Sequence, residues 1–147
     1  MLLSRLTQRP FAVRSGGHAA FAGASSVDGG ITVIFERMKQ ITLSEDKKVA
    51  SIEPGNLWYD IYTTLADDNL AVVGGRVSGV GIGGLTTGSG ISFFPNQCGW
   101  ACDNIASYEV VTASGRIVNV SPQSFPDLYW ALRGGGNNLG NRYEVQP

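Results

Sequence analysis

The sequence is poor in the residues that metal, redox and nucleic-acid chemistry draw on. Histidine occurs once, at position 18, and cysteine twice, at 98 and 102. A single histidine cannot build a histidine-based metal centre. Two thiols with three residues between them form neither a disulfide framework nor a ligand set. With no histidine nearby to activate them, Cys98 and Cys102 read as two ordinary thiols. Charge of one sign is also missing. Formal net charge is −1 and the 11 Lys and Arg residues are scattered, so no basic stripe awaits a phosphate backbone or an anionic membrane. Nucleic acid and membrane are not expected partners. No apolar run approaches the ~20 residues that cross a bilayer. The opening Met1-Leu2-Leu3-Ser4-Arg5-Leu6 lacks the apolar core and small-residue cleavage site of a signal peptide, although a longer, secreted parent is compatible with the sequence.

Glycine is what the chain has in excess. There are 20 in 147 residues, about twice the ~7% of average usage. They cluster at Gly16-Gly17, Gly29-Gly30, Gly74-Gly75, Gly79 to Gly90 and Gly134-Gly135-Gly136, each cluster beside an apolar segment, so this is not a flexible linker. Six Phe, five Tyr, three Trp and many aliphatics suffice for one core but not two. Several glycine loops on one small core suggest a polyanionic or planar ligand threaded between backbone segments, because glycine lets the main chain come close.

Periodicity places the elements. Pro10 to Arg14 and Ile31 to Phe35 read as strands, and Ile41 to Leu43 with Val49 to Ile52 as a hairpin around Ser44-Glu45-Asp46-Lys47-Lys48. Leu57, Trp58, Ile61, Tyr62 and Leu65 fall at helical spacing, with Asn56 as the expected N-cap and Asp68 near the end. Leu70 to Val73 reads as a buried strand, and Gly88, Gly90 and Pro95 keep any helix between Gly74 and Gly90 short. Tyr108 to Thr112 and Arg116 to Val120 form the clearest hairpin, around Ala113-Ser114-Gly115. Ser124-Phe125-Pro126-Asp127 has the form of a capping box before Leu128 to Leu132, stopped by Gly134. The expected class is α+β, with mostly antiparallel strands and few helices.

Gly79-Val80-Gly81-Ile82-Gly83-Gly84 fits the dinucleotide fingerprint, and Asp103 lies about 20 residues on. That fingerprint must open a full helix inside a parallel βαβ unit. Here glycine and proline interrupt the helix and Pro95 to Asp103 holds no strand-like run, so a nicotinamide site is not expected.

Four blocks in order carry a more specific signal: Phe11-Ala12-Val13-Arg14-Ser15-Gly16-Gly17-His18; Val73-Gly74-Gly75-Arg76-Val77 with Gly79 to Thr86; Ala101-Cys102-Asp103-Asn104; and Trp130-Ala131-Leu132-Arg133-Gly134-Gly135-Gly136-Asn137. Together they resemble the FAD-binding, PCMH-type domain of the vanillyl-alcohol oxidase superfamily, most closely the berberine-bridge-enzyme-like FAD-linked oxidases. The resemblance implies that Arg14, Ser15, Gly16 and Gly17 wrap the FAD pyrophosphate through backbone N–H groups, and that His18 carries the flavin covalently at its 8α-carbon. It further implies that Gly75, Val77, Ser78, Gly81, Gly83, Gly84, Leu85, Gly88, Gly90 and Val118 contact the cofactor, while Asp103 and Asn104 close the site. A lone loop histidine is more often hydrogen-bonded to backbone; its place after Arg-Ser-Gly-Gly reverses that expectation for His18. A neutral imidazole is a competent nucleophile near pH 7.

Three departures qualify the carry-over. Doubly attached relatives place a Cys after Gly-Gly-Arg, where this chain has Val77, so no cysteinyl bridge is expected. Ala20 stands where plant members often carry an aromatic residue. The largest departure is length: residues 1–147 correspond to an FAD-binding domain without the family's opening βα unit and substrate domain, and Asn141-Arg142-Tyr143-Glu144 replaces an expected apolar strand. The implied activity is oxidation of a small-molecule alcohol, amine or sugar by hydride transfer to flavin, with reoxidation by dioxygen. The alternative is a non-catalytic remnant that only binds flavin or folds poorly. No catalytic base can be named, because Tyr59, Tyr62, Tyr108 and Glu109 all lie in elements that read as core helix or hairpin.

Overall fold

A computed structural model describes residues 2–136 and 141–146. Its framework is a five-stranded sheet in the order β3-β4-β7-β5-β6, built from β3 (Ile41–Leu43), β4 (Ala50–Ile52), β5 (Ser107–Val111), β6 (Ile117–Val120) and β7 (Asn141–Gln146), with every neighbouring pair antiparallel. The β3–β4 and β5–β6 hairpins form where the alternation of the sequence predicts them. β1 (Phe11–Arg14) and β2 (Ile31–Ile34) form a separate ribbon and run parallel, in register Phe11 with Ile31 through Arg14 with Ile34. Because the pair is parallel, the Gly16 to Gly30 segment crosses back along the ribbon, and Ile31 N–H meets Pro10 O at 2.9 Å at the far end from Gly16.

The core lies between the sheet and α2 (Trp58–Ala66). Trp58, Ile61 and Leu65 of α2 are buried against Ile52, Tyr108, Val110 and Val120 of the strands and Leu132 of α5 (Pro126–Leu132). Each such side chain contributes about 1.5–3 kcal/mol by leaving water. The helix ends as its sequence requires: Asn69 takes the left-handed conformation (φ 55°), and Leu70 N–H reaches back to Leu65 O at 3.0 Å.

Five local expectations are corrected. The residue at the N-cap of α2 is Leu57 rather than Asn56; Asn56 is buried and its amide instead donates to Glu53 O at 2.9 Å, while Asp60 supplies the acceptor for Leu57 N–H at 3.1 Å. Leu70 to Val73 forms no strand, because no neighbouring strand pairs with it; Leu70 and Val72 pack on the core from a loop. The capping box at Ser124 does not form. α5 starts one residue later, its N-cap Phe125 is left-handed (φ 56°), and Ser124 Oγ donates to Asn119 O at 3.0 Å. Asn141 to Gln146 does form a strand, in the middle of the sheet, since β4 and β5 both offer ladder partners whatever the side chains there. Finally α1 (Leu2–Thr7), which no periodicity announces, precedes β1. Among the described residues no helix is long and apolar enough to cross a membrane.

Candidate functional site

The loop after β1 and the loop before α3 (Ile82–Thr87) meet through two glycines. A Cβ placed on Gly16 would stand 2.4 Å from Gly81 N, and one on Gly81 would stand 2.2 Å from Gly16 N, so only glycine permits the approach at either position. The second loop is held from behind by α2. Trp58 N–H donates to Val80 O and Tyr59 N–H to Ser78 O, both at 3.0 Å, and Ile82 N–H donates to Asn56 O at 3.1 Å. These bonds leave the backbone N–H groups of Gly16, Gly17, Ser78, Gly79 and Gly81 without a protein acceptor among the described residues. Convergent unpaired main-chain donors of this kind form an anion-binding concavity. His18 follows directly, exposed, at the start of a stretch in which Ala19 to Gly23 are also exposed.

The remaining glycine segments stack behind this contact. Tyr62 OH donates to Gly75 O at 2.9 Å, and Gly75 lies against the Trp58 indole and Leu85. Leu85 also packs on Gly90, whose carbonyl accepts Ala101 N–H at 2.8 Å, which ties the loops to a 3₁₀ turn at Ala101–Asn104. There Asp103 pairs with Arg133 and accepts Trp100 N–H at 2.8 Å, while Asn104 donates to Cys98 O and Trp100 O, both at 2.9 Å.

Arg14 to His18 and Ser78 to Leu85 are thus brought into one neighbourhood, with Gly75, Gly88 and Gly90 beside them. Gly83, Leu85, Gly88 and Gly90 have their N–H groups engaged inside the protein, so their contribution is close packing. Val77 is 54% exposed. Asp103 and Asn104 border a separate cleft of about 420 Å³ walled by Leu43, Val49, Leu65 and Val72, which contains no residue of the glycine loops. Val118 packs on the core from β6. Trp58 and Tyr62, which position Gly75, were not among the expected site residues; helical spacing marks them as inward-facing but cannot say what they face.

Of the proton-transfer candidates, Tyr59 is 62% exposed and lies beside the second glycine loop, its backbone N–H bonded to Ser78 O at 3.0 Å. Tyr62 OH is committed to Gly75 O, and burial pushes its pKa up. Tyr108 is fully buried, and Glu109 lies on β5 beside Glu53, away from the loops. Among the described residues no group of His, Cys, Asp and Glu is arranged to hold a metal.

Two glycine loops in contact, with unpaired N–H groups and a histidine at their edge, offer the donor set that an extended anionic cofactor needs. A family model described as FAD binding domain matches residues 2–121, and the chain belongs to that family. The FAD-dependent monooxygenase tpcD of Cochliobolus heterostrophus is 51% identical over 138 residues, which is 94% of this chain and 27% of the relative. FUP4 of Fusarium proliferatum, also an FAD-dependent monooxygenase, is 47% identical over 93% of this chain and 26% of its own. Among solved structures, 6-hydroxy-D-nicotine oxidase from Arthrobacter nicotinovorans superposes with a TM-score of 0.93 at 34% identity, covering 99% of this chain and 32% of that one. Xylooligosaccharide oxidase from Myceliophthora thermophila C1 gives 0.92 at 35% identity, over 99% and 31%. The fold is therefore the PCMH-type FAD-binding fold of the vanillyl-alcohol oxidase flavoenzymes, and the cofactor is FAD. The chain spans about a quarter of the length of the curated relatives it matches.

Proposed function

We propose that this chain is the FAD-binding part of a berberine-bridge-enzyme-like oxidoreductase in which His18 bonds covalently to the flavin. The Gly16–Gly81 contact carries the reading: it sets unpaired N–H groups of two loops side by side, with His18 two residues beyond. Arg14 to Gly17, Ser78, Gly79 and Gly81 would hold the pyrophosphate, and Gly75, Val77, Gly83, Gly84, Leu85, Gly88 and Gly90 would shape the cradle around it. Asp103 and Asn104 would brace it from the 3₁₀ turn. Bound FAD would supply a hydride acceptor for an alcohol, amine or sugar carbon, with dioxygen as the proposed final electron acceptor. Residues 1–147 would form one FAD-binding domain, with substrate contacts made by sequence of the kind the longer relatives carry.

Covalent attachment is tested by acid precipitation and ultraviolet inspection of the pellet. Protein with His18 intact should give a yellow, fluorescent pellet, and His18→Ala a colourless one with the flavin left in the supernatant. A coloured His18→Ala pellet places the attachment elsewhere. The relatives' names divide between monooxygenase and oxidase, and stoichiometric hydrogen peroxide per substrate oxidised would favour the oxidase reading. A second reading, a flavin binder without turnover, draws on the commitment of Tyr62 OH to Gly75 O and the burial of Tyr108.

A further inference from the structure

Ser15 joins the two glycine loops through its side chain. Its Oγ donates to Pro54 O at 2.6 Å and accepts Gly83 N–H at 3.2 Å. Gly83 is the second residue of α3, and the N-cap of that helix is Gly81, extended at φ −74° and ψ 141° and without a side chain to cap anything. A serine at an N-cap ordinarily bonds the second or third amide of its own helix. Here a hydroxyl from 68 residues upstream takes that place. The fit is close: a Cβ on Gly83 would lie 3.0 Å from Ser15 Cβ, so the serine fills the space that any larger residue at 83 would need.

We infer that Ser15 is a helix cap supplied in trans, and that it sets the spacing of the two FAD loops before the cofactor arrives. The inference rests on the reading of those loops as the FAD cradle. Its hydroxyl proton is committed to Pro54 O, so Ser15 acts as a positioning residue and not as a phosphate donor. Bridging Pro54 and Gly83, it holds Gly16, its neighbour in sequence, against Gly81. Without the bridge the loops would have to be ordered by FAD itself, and apparent affinity falls by the fraction of molecules in which the cradle is already formed.

The test combines amide hydrogen exchange on the flavin-free full chain with FAD titration, for wild type, Ser15→Ala and Ser15→Thr. FAD should slow exchange at residues 14–17 and 78–84 of the wild type; if it does not, the placement of FAD fails whatever Ser15 does. In flavin-free Ser15→Ala, exchange across 81–85 should rise about tenfold, and FAD binding should weaken about tenfold, for loss of one well-placed hydrogen bond. Ser15→Thr, which keeps the hydroxyl, should restore both. Unchanged exchange with weakened FAD binding would mean that the hydroxyl touches the cofactor directly. Faster exchange with unchanged affinity would mean that the cap only stabilises α3. Either result overturns the inference. If Ser15→Ala does not fold, Ser15→Cys, similar in shape but a weak hydrogen-bonding group, takes its place in the same measurements.

Discussion

Gly79 and Gly81 lie two positions apart and should respond oppositely to the same substitution. A Cβ on Gly79 meets nothing within 4 Å, whereas one on Gly81 meets Gly16 N at 2.2 Å and Ser15 Oγ at 2.5 Å. Overpacking against backbone cannot be relieved by a rotamer change, so Gly81→Ala should cost about 1–3 kcal/mol and abolish FAD retention. Gly79→Ala should stay within about 0.5 kcal/mol of wild type. Urea unfolding with flavin absorbance on the same samples checks both, and equal effects would show that the loops do not touch as described. The two thiols differ in a similar way. Cys98 is exposed; Cys102 is buried, and burial together with the Asp103 charge holds its pKa up. Iodoacetamide at mildly alkaline pH should label Cys98 and spare Cys102 until the chain is unfolded, as peptide mass mapping would show.

At the scale of elements, α2 has two tasks: its inward face supplies the core, and its N-terminal turn braces the second glycine loop. Asp60 fastens that turn, facing Lys39 Nζ at 2.9 Å and Leu57 N–H at 3.1 Å. The Lys39 hydrogen bond, ahead of the one from Leu57 N–H, lowers its pKa against a smaller opposing effect of burial. A carboxylate whose folded pKa is depressed stabilises the fold above the unfolded value of ~3.9 and loses that contribution as pH falls through the folded value. Asp60→Asn should therefore cost about 0.5 kcal/mol at pH 7, a partly exposed pair being worth little more. The gap from wild type should close in acid, once the carboxylate is protonated in both the folded and the unfolded chain. Urea midpoints at neutral pH and in acid decide it, and a pH-independent difference would assign the effect to packing.

For the molecule as a whole, apolar side chains stand uncovered close in sequence to the glycine loops. Neither cleft found away from the loops includes a glycine-loop residue, and Ile91, Phe93, Phe94 and Trp100 stand 46–66% exposed along the segment leading to the 3₁₀ turn. Hydride transfer needs a substrate held about 3–3.5 Å from the flavin, with a group to take its proton. Tyr62 OH is bonded to Gly75 O, Tyr108 is buried, and half-buried Glu109 lines a cleft with Glu53. A preparation of these 147 residues loaded with FAD should thus show a bound-flavin spectrum but no steady peroxide production from alcohols, amines or sugars. Sustained turnover would mean that a base in this chain has been overlooked.

The sequence by itself determined the hairpins, the amphipathic α2, the class and the cofactor. The first three depend on local alternation and helical spacing, while FAD is what the resemblance of the four short blocks around Gly16, Gly81, Asp103 and Gly134 implies. It also showed where the glycines cluster, but not what each one meets. Only the tertiary structure decided that Gly16 and Gly81 exclude one another's side chains, that Ser15 caps a helix 68 residues away, and that Trp58 and Tyr62 position Gly75. Local cues failed where a distant partner outcompeted them. Leu70 to Val73 is apolar throughout, like a buried strand, but has no ladder to join, and Asn141 to Gln146 lacks the apolar pattern yet lies between two strands that supply one. Strand formation is a contract between segments far apart in the chain, and hydrogen-bond partners, unlike periodicity, are not written beside the residues that need them.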